Sequence, residues 1–424
     1  MIDFDKLPGV SYSYIKTSRF KTTLISVGFY LPLGETASAN TLALNLMKSG
    51  TVSLPDTYSL NRRFASLYGA SVSALATKNG DCQELRLNIT VNDDRYSIDG
   101  ESTVTEAGLL LCDMIFGRFS NNSDYPEEAL IREKRLLSEK IEGKINDKRT
   151  YAREKCEAIM CEGEPYGLSA DGDSKIVAGL TAKDVKKALK QMICESLIAV
   201  QVIGEKEPVE FKEKFFSLLN NAARNFKAPI ADIVKPAGEL KTFEEKMPVK
   251  QGKLVLGLRS DKAGLDRDTV ANWIMGDIFG GGPYSKLFCN VREKMSLCYY
   301  CSARSIRRKG IILVDSGVEE ANIDPAKTAI LSELDNMANG NFTEKEISSS
   351  KLAMCDAIRS VESDQMALAR WYGTRALEEN PASPSEICRL IENLTKEDIV
   401  SSAKGFKLDT VYTLRPDGTV KEEA

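Results

Sequence analysis

"SLNRRFASLYGASVSALATKNGDCQELRLNITV" (59–91) and "SKLFCNVREKMSLCYYCSARSIRRKGIILVDSGV" (285–318) follow one plan. Each opens with an amphipathic helix, leaves it by a tight exit, and runs into two strands joined by a polar turn. The second copy starts about 226 residues after the first (285 − 59). A helix and hairpin repeated at that distance read as an ancient duplication.

Working outward, the first copy predicts strands near 10–16, 22–33, 70–78, 83–91 and 196–203. Helices are expected near 39–49, 57–67, 104–117, 126–146, 149–161 and 182–193. The second copy predicts strands near 252–259, 297–305, 309–318 and 409–415, with helices near 266–279, 285–295, 323–338, 343–362, 364–378, 384–393 and 395–404. Both halves mix sheet with helical hairpins, the pattern of two α+β domains. Between them "NFKAPIADIVKPAGELKTFEEKMPVKQ" (225–251) carries three prolines among charged residues and suits an extended linker. The expected division is 1–224, a linker at 225–251, and 252–424. In "SDYPEEALIREKRLLSEKIEGKIND", Ser123 or Asp124 would cap the helix, Pro126 sits in the first turn, and Leu130, Leu137, Ile141 and Ile145 share one face.

Composition narrows the function. A chain of 424 residues, 42% of them apolar, can bury at least two cores. A net charge of −4, with both signs evenly mixed, offers no basic stripe for a phosphate backbone, so nucleic acid is not an expected partner. No apolar run reaches the roughly 18 residues that span a bilayer, and "MIDFDKLPG" has no signal-like basic and apolar regions. These features predict no membrane partner and a cytoplasmic location. The 10 cysteines are scattered through a chain too large to need disulfides, and most are expected as reduced core residues. Cys298 and Cys301 form a lone CxxC in the strand-like run "SLCYYCSAR", with no second pair at zinc-site spacing. Asp81, Cys82 and Glu84 form a mixed cluster that strand alternation splits between faces.

There is no histidine anywhere. That removes Ser-His-Asp and Cys-His hydrolysis, His-ligated zinc and imidazole acid–base catalysis. The "GGG" at 280–282 is not a phosphate loop, because no Gly-Lys-Ser/Thr follows and Pro283 interrupts the helix start.

"NTLALNLMKSGT" (40–51) is a short amphipathic helix after the strand-like "TTLISVGFYLPLG" (22–34), expected to turn Leu42 and Leu46 inward. With "GGGPYSKLFCNVREKMSLCYY" (280–300), it resembles the pitrilysin/insulinase peptidases, the inverzincins. In that family H-x-x-E-H on such a helix binds zinc and activates its water. Aligning Gly50 and Thr51 on the family's "GT" puts Thr41 and Asn45 at the histidine positions and Leu44 at the glutamate. The third ligand, a glutamate, falls on Glu139 or Lys140 in "REKRLLSEKIEG", depending on a one-residue gap. No metal, cofactor or catalytic residue is therefore expected.

The family's C-terminal arginine and tyrosine, which hydrogen-bond the substrate backbone, correspond to Arg292 and Tyr299. An arginine fork and a tyrosine hydroxyl together can hold a peptide carbonyl. The segment "NDKRTYAREK" (146–155) is reminiscent of a bacterial peptidase-like subgroup associated with EF-P aminopentanol modification. The resemblance spans nearly the whole chain and implies two homologous α+β domains forming a clam-shell. It also implies a zinc-free subunit that binds peptide and completes the chamber of a zinc-bearing homologous partner. A peptide- or protein-binding scaffold without a role in proteolysis, perhaps a homodimer, is the alternative.

Overall fold

In this computed structural model, residues 7–98, 100–229, 231–264, 267–378 and 381–419 are described. The chain forms two compact units, and neither is a continuous stretch. The first gathers the chain up to Glu142 with Leu168–Ala231 and Val361–Pro381. The second gathers Gly143–Gly167, Asp232–Ser360 and the chain from Ala382 on.

The first unit holds a sheet of β1 (Val10–Lys16), β2 (Thr22–Pro32), β3 (Ser71–Asn79), β4 (Cys82–Asn92) and β5 (Leu197–Gly204), in the order β1-β5-β2-β4-β3. Only β1 and β5 run parallel. Residues 23–31 of β2 are buried throughout, as a central strand covered on both faces requires, whereas β1 alternates in burial like an edge. Helices α1 (Ala37–Ser49), α2 (Thr57–Ser66), α3 (Thr103–Ser120) and α4 (Glu127–Gly143) follow. The next helix, α5 (Lys148–Met160), goes to the second unit, and α6 (Ser174–Gly179), α7 (Ala182–Cys194) and α8 (Val209–Asn221) return to the first.

Apolar side chains of α1, α3, α7 and α8 cover one face of this sheet; Leu42, Leu46, Leu87, Ile115 and Phe215 are all at most 1% exposed. Burial of each such side chain is worth about 1.5–3 kcal/mol before entropy is counted. Along α4, Leu137 is buried and Leu130 and Ile141 are packed against the core, but Ile145 falls beyond the helix and is exposed.

The second unit repeats the layout. Its strands are β6 (Lys241–Met247), β7 (Gly252–Arg259), β8 (Tyr300–Ile306), β9 (Ile311–Val318) and β10 (Lys407–Pro416), in the order β6-β10-β7-β9-β8. Here too the outer pair, β6 and β10, is the parallel one. Helices α9 (Arg267–Gly280), α10 (Ile323–Ala338) and α11 (Glu344–Ser360) belong to it. So do α13 (Pro384–Glu392) and α14 (Lys396–Gly405), while α12 (Gln365–Thr374) lies in the first unit.

The remaining face of each sheet is thus covered by one helix from the other half of the sequence. On the first sheet, Leu368 and Ala369 of α12 pack on Leu24 and Ile203. The Tyr30 hydroxyl donates to the Gly373 carbonyl at 2.6 Å. A β-carbon at Gly373 would stand 1.8 Å from the Arg86 guanidinium, so only glycine allows this approach. On the second sheet, Cys156 and Met160 of α5 pack with Val255, Leu313 and Tyr412. Arg149 pairs with Asp315 and donates to the Ser302 hydroxyl at 2.8 Å.

Three sequence expectations change. The segment expected as a linker at 225–251 supplies β6, because extended backbone can fill the parallel edge slot beside β10. The amphipathic "VEFKEKFFSLLNN" forms α8, its Phe211, Phe215 and Leu219 spaced for one buried face. Finally, β8 starts at Tyr300, which leaves Cys298 in the irregular approach to the strand.

Candidate functional site

On α1, two of the three positions aligned with a zinc motif are committed to packing. Leu44 is fully buried, and Thr41 is 2% exposed. The Thr41 hydroxyl donates to the Ala170 carbonyl at 2.9 Å and accepts from the Gln83 amide at 3.0 Å. That same amide nitrogen also donates to the Ala37 and Ala170 carbonyls at 3.0 and 2.7 Å. Gln83 in turn accepts from the Asn40 amide at 3.0 Å. Asn45 is half-buried and enters none of these bonds. A threonine hydroxyl engaged on both sides, an amide and a buried leucine do not fit zinc, which needs three lone-pair donors converging at about 2.0–2.3 Å.

The third-ligand position resolves as well. Glu139 lies on the exposed side of α4, paired with Arg135 at 2.8 Å. Lys140 reaches the nearly buried Asp171 carboxylate at 2.7 Å, one residue from the carbonyl that Thr41 and Gln83 share. A fixed ammonium therefore lies one residue along from that network. Among the described residues, no group of three or more Cys, Asp or Glu side chains is placed to hold a metal ion. Gln83 and Asp171 carry no sequence signal of this role. Gln83 sits in a strand whose both faces are covered, so alternation does not single it out.

In the second unit, Arg292 and Tyr299 line one cavity of about 360 Å³, shared with Glu293, Ser296, Leu297, Cys298, Glu319 and Asn322. Arg292 stands on a π-helix (Leu287–Lys294), a wide coil common at functional sites. Two residues past its end, Ser296 is a non-glycine residue in the left-handed region (φ 52°), much as α2 exits through Tyr68 (φ 55°) and Gly69 (φ 79°). The Arg292 Nε donates to the Tyr299 carbonyl at 2.9 Å, and its guanidinium lies 4.5 Å from the centre of the Phe288 ring. Glu293 approaches Nη1 at 3.2 Å. The Tyr299 hydroxyl donates to Glu319 at 2.8 Å, and the Tyr299 amide is fixed by the Gly317 carbonyl at 2.9 Å. Tyr299 remains 51% exposed. The two side chains thus share a rigid frame at a solvent-facing cavity; Glu319 is the member that sequence spacing did not reveal.

Cys298 lines the same cavity. A hydrogen bond from Cys301 and then the positive field of Arg292 hold its thiol below the ordinary cysteine value, while Cys301 is pushed well above it. Of the 10 free cysteines, only Cys289 and Cys298 are not buried.

Residues 179–354 match the family model described as the peptidase M16 inactive domain. The chain is 29% identical over 412 residues to the "Probable inactive metalloprotease YmfF" of Bacillus subtilis, covering 96% of each. It is 21% identical over 309 residues to that organism's "Uncharacterized zinc protease YmxG", covering 71% of this chain and 69% of that one. A crystal structure of a conserved protein from Enterococcus faecalis superposes with a TM-score of 0.88 at 26% identity, covering 97% of this chain and 98% of that one. With its two five-stranded sheets of one topology, the chain is similar to the M16 peptidases that its motifs resemble, over residues 179–354 to the family model and over most of its length to the relatives. The helix aligned with the zinc motif carries no residues that fit zinc, and the relative matched over 96% of both chains is one named a probable inactive metalloprotease. Among the described residues, no helix is long and apolar enough to cross a membrane.

Proposed function

We propose that this chain is a zinc-free subunit that holds peptide through Arg292 and Tyr299 and completes the active chamber of a separate zinc-bearing homologue. The observation that carries the reading is the contrast within one molecule. The metal helix has no ligands, while the arginine and tyrosine stand together at an open cavity. None of the described bonds of Arg292 uses Nη2, so the guanidinium has donors to spare for a peptide carbonyl. Bacillus subtilis holds both an inactive and a zinc-protease relative of this chain, which supports a pairing of the two kinds. The likeness to the EF-P-associated subgroup rests on residues 146–155.

Co-expression with an H-x-x-E-H homologue from the same genome tests the reading. The expected result is a complex with zinc-dependent peptidase activity that Arg292→Ala lowers roughly 10–10²-fold, about 1.5–3 kcal/mol of transition-state binding. Full activity of the zinc subunit alone would defeat it. Peptide binding without turnover, whichever homologue is added, would favour a scaffold.

A further inference from the structure

We propose that the second unit carries a further binding site, a cavity beside β6 that takes a small zwitterion of the amino-acid kind, its carboxylate on Arg259 and Lys235 and its ammonium on Glu162 and Glu239. The cavity has a volume of about 340 Å³, within the roughly 300–1,000 Å³ of small-molecule sites. It lies where the approach to β6, residues 235–240, passes the end of α5, and Arg259 of β7 and Asp409 of β10 line it too. The approach is held at three points. Arg308 pairs with Asp232 at 2.7 Å, the buried Lys309 donates to the Ile233 carbonyl, and the Gly238 amide donates to Asp409 at 3.2 Å. A segment fixed in this way gives the cavity a standing wall.

Two features set this cavity apart from an ordinary cluster of surface ion pairs. The first is an unused buried donor. The Arg259 and Glu164 side chains are each 2% exposed. Arg259 Nη2 donates to Glu164 at 2.8 Å and to the Met160 carbonyl at 2.7 Å, and Nε stands 3.5 Å from Asp409. Nη1 is buried and has no hydrogen-bond partner. A buried donor without an acceptor is costly, and a ligand oxygen in the cavity that Arg259 lines would supply one. The buried acids are already engaged: Glu164 also lies 3.1 Å from the Lys309 ammonium, and Asp409 also accepts from the Thr410 hydroxyl at 2.7 Å.

The second feature is the balance of charge at the rim. Lys235 is exposed and reaches Glu164 only at 3.7 Å, beyond hydrogen-bond range, so its ammonium keeps donors for a carboxylate. Glu162 lies 3.7 Å from Lys241, and both Glu162 and Glu239 are exposed. Below the rim, Arg259 and Lys309 balance Glu164 and Asp409. A simple anion would meet as many carboxylates as cations. A ligand with one charge of each sign meets a partner at both ends.

This cavity shares no lining residue with the one at Arg292, and the proposal does not rest on the peptide-holding reading. The probes are glycine and triglycine, each titrated by calorimetry at low ionic strength into the isolated full chain. Both carry an α-carboxylate and an α-ammonium, and the pair tells a free amino acid from a short peptide. At least one should bind with a Kd of roughly 1 mM or tighter. N-acetylation or C-amidation of that probe should each weaken binding about five-fold or more, because each removes one end charge. Lys235→Ala and Glu239→Gln, both at exposed positions, should each weaken it roughly 2–5-fold and leave the urea midpoint unchanged. No binding of either probe up to about 20 mM overturns the proposal. So does equal binding of either blocked form, or binding that survives both substitutions. Binding lost in Arg292→Ala but kept in Lys235→Ala would put the probe in the other cavity and overturn it as well. None of these outcomes bears on zinc-dependent activity in a complex with a zinc-bearing homologue, so the two readings fail separately.

Discussion

Helix α1 of the first unit and the arginine–tyrosine cavity of the second are the two places where the chain resembles a peptidase, and their polar groups are held in opposite ways. Around α1 the side chains have turned on one another: Thr41, Gln83 and Asn40 bond among themselves and to the Ala37 and Ala170 carbonyls, and Leu44 joins the core. Around Arg292 the polar groups stay at the surface, fixed by only a few contacts. A motif relieved of its chemistry becomes packing, because a buried polar atom without a partner costs about 1–3 kcal/mol. On the proposed reading, the Arg292 region keeps exposed donors for a ligand. Mutations in the first region should therefore change stability, and mutations in the second should change binding.

The sharpest attempt to break that contrast is Gln83→Ala. It takes one hydrogen-bond partner from each of Thr41, Asn40 and the Ala37 and Ala170 carbonyls and leaves a hole beside α1, and should cost about 3–4 kcal/mol, read as a fall in the urea midpoint. A near-neutral result would show that the network is incidental. Putting imidazoles back through Thr41→His with Asn45→His should cost about 2–3 kcal/mol from overpacking and lost hydrogen bonds. Equilibrium dialysis should then find zinc well below one per chain; a stoichiometric ion in a stable fold would mean the site was never closed. Arg292→Ala is expected to leave stability within about 0.5 kcal/mol of the parent, even where it weakens peptide turnover in a complex. Unfolding and activity measured on the same preparation separate the two. The smallest effect belongs to Lys140→Met. Its pair with Asp171 is exposed on the lysine side, so about 1 kcal/mol or less should be lost, and the difference should shrink in salt.

Much of this fold was legible in the chain. The repeated helix and hairpin at 59–91 and 285–318 fall on matching elements of two sheets of identical order, because a duplicated pattern of helix period and strand alternation folds twice by the same physics. The inward Leu42 and Leu46 of α1 follow from their spacing. What local pattern could not show was the slot beside β10 that turns part of the presumed linker into β6. Pairing with a strand some 170 residues away leaves no mark on either segment.

The arginine and tyrosine illustrate the same division at the site. Their seven-residue spacing is a property of the sequence, but their shared cavity depends on a π-helix, a left-handed Ser296 and a carbonyl from β9.

By itself, the sequence determined what this protein cannot do. With no imidazole anywhere, and Leu44 at the position aligned with the family's glutamate, His-ligated zinc and imidazole acid–base catalysis have no residues to use, and no folding can supply them. Only the tertiary structure decided what occupies the vacated helix, and which helix covers the second face of each sheet. Those outcomes depend on groups brought together from distant parts of the chain or by departures from regular backbone, and neither is encoded in local periodicity.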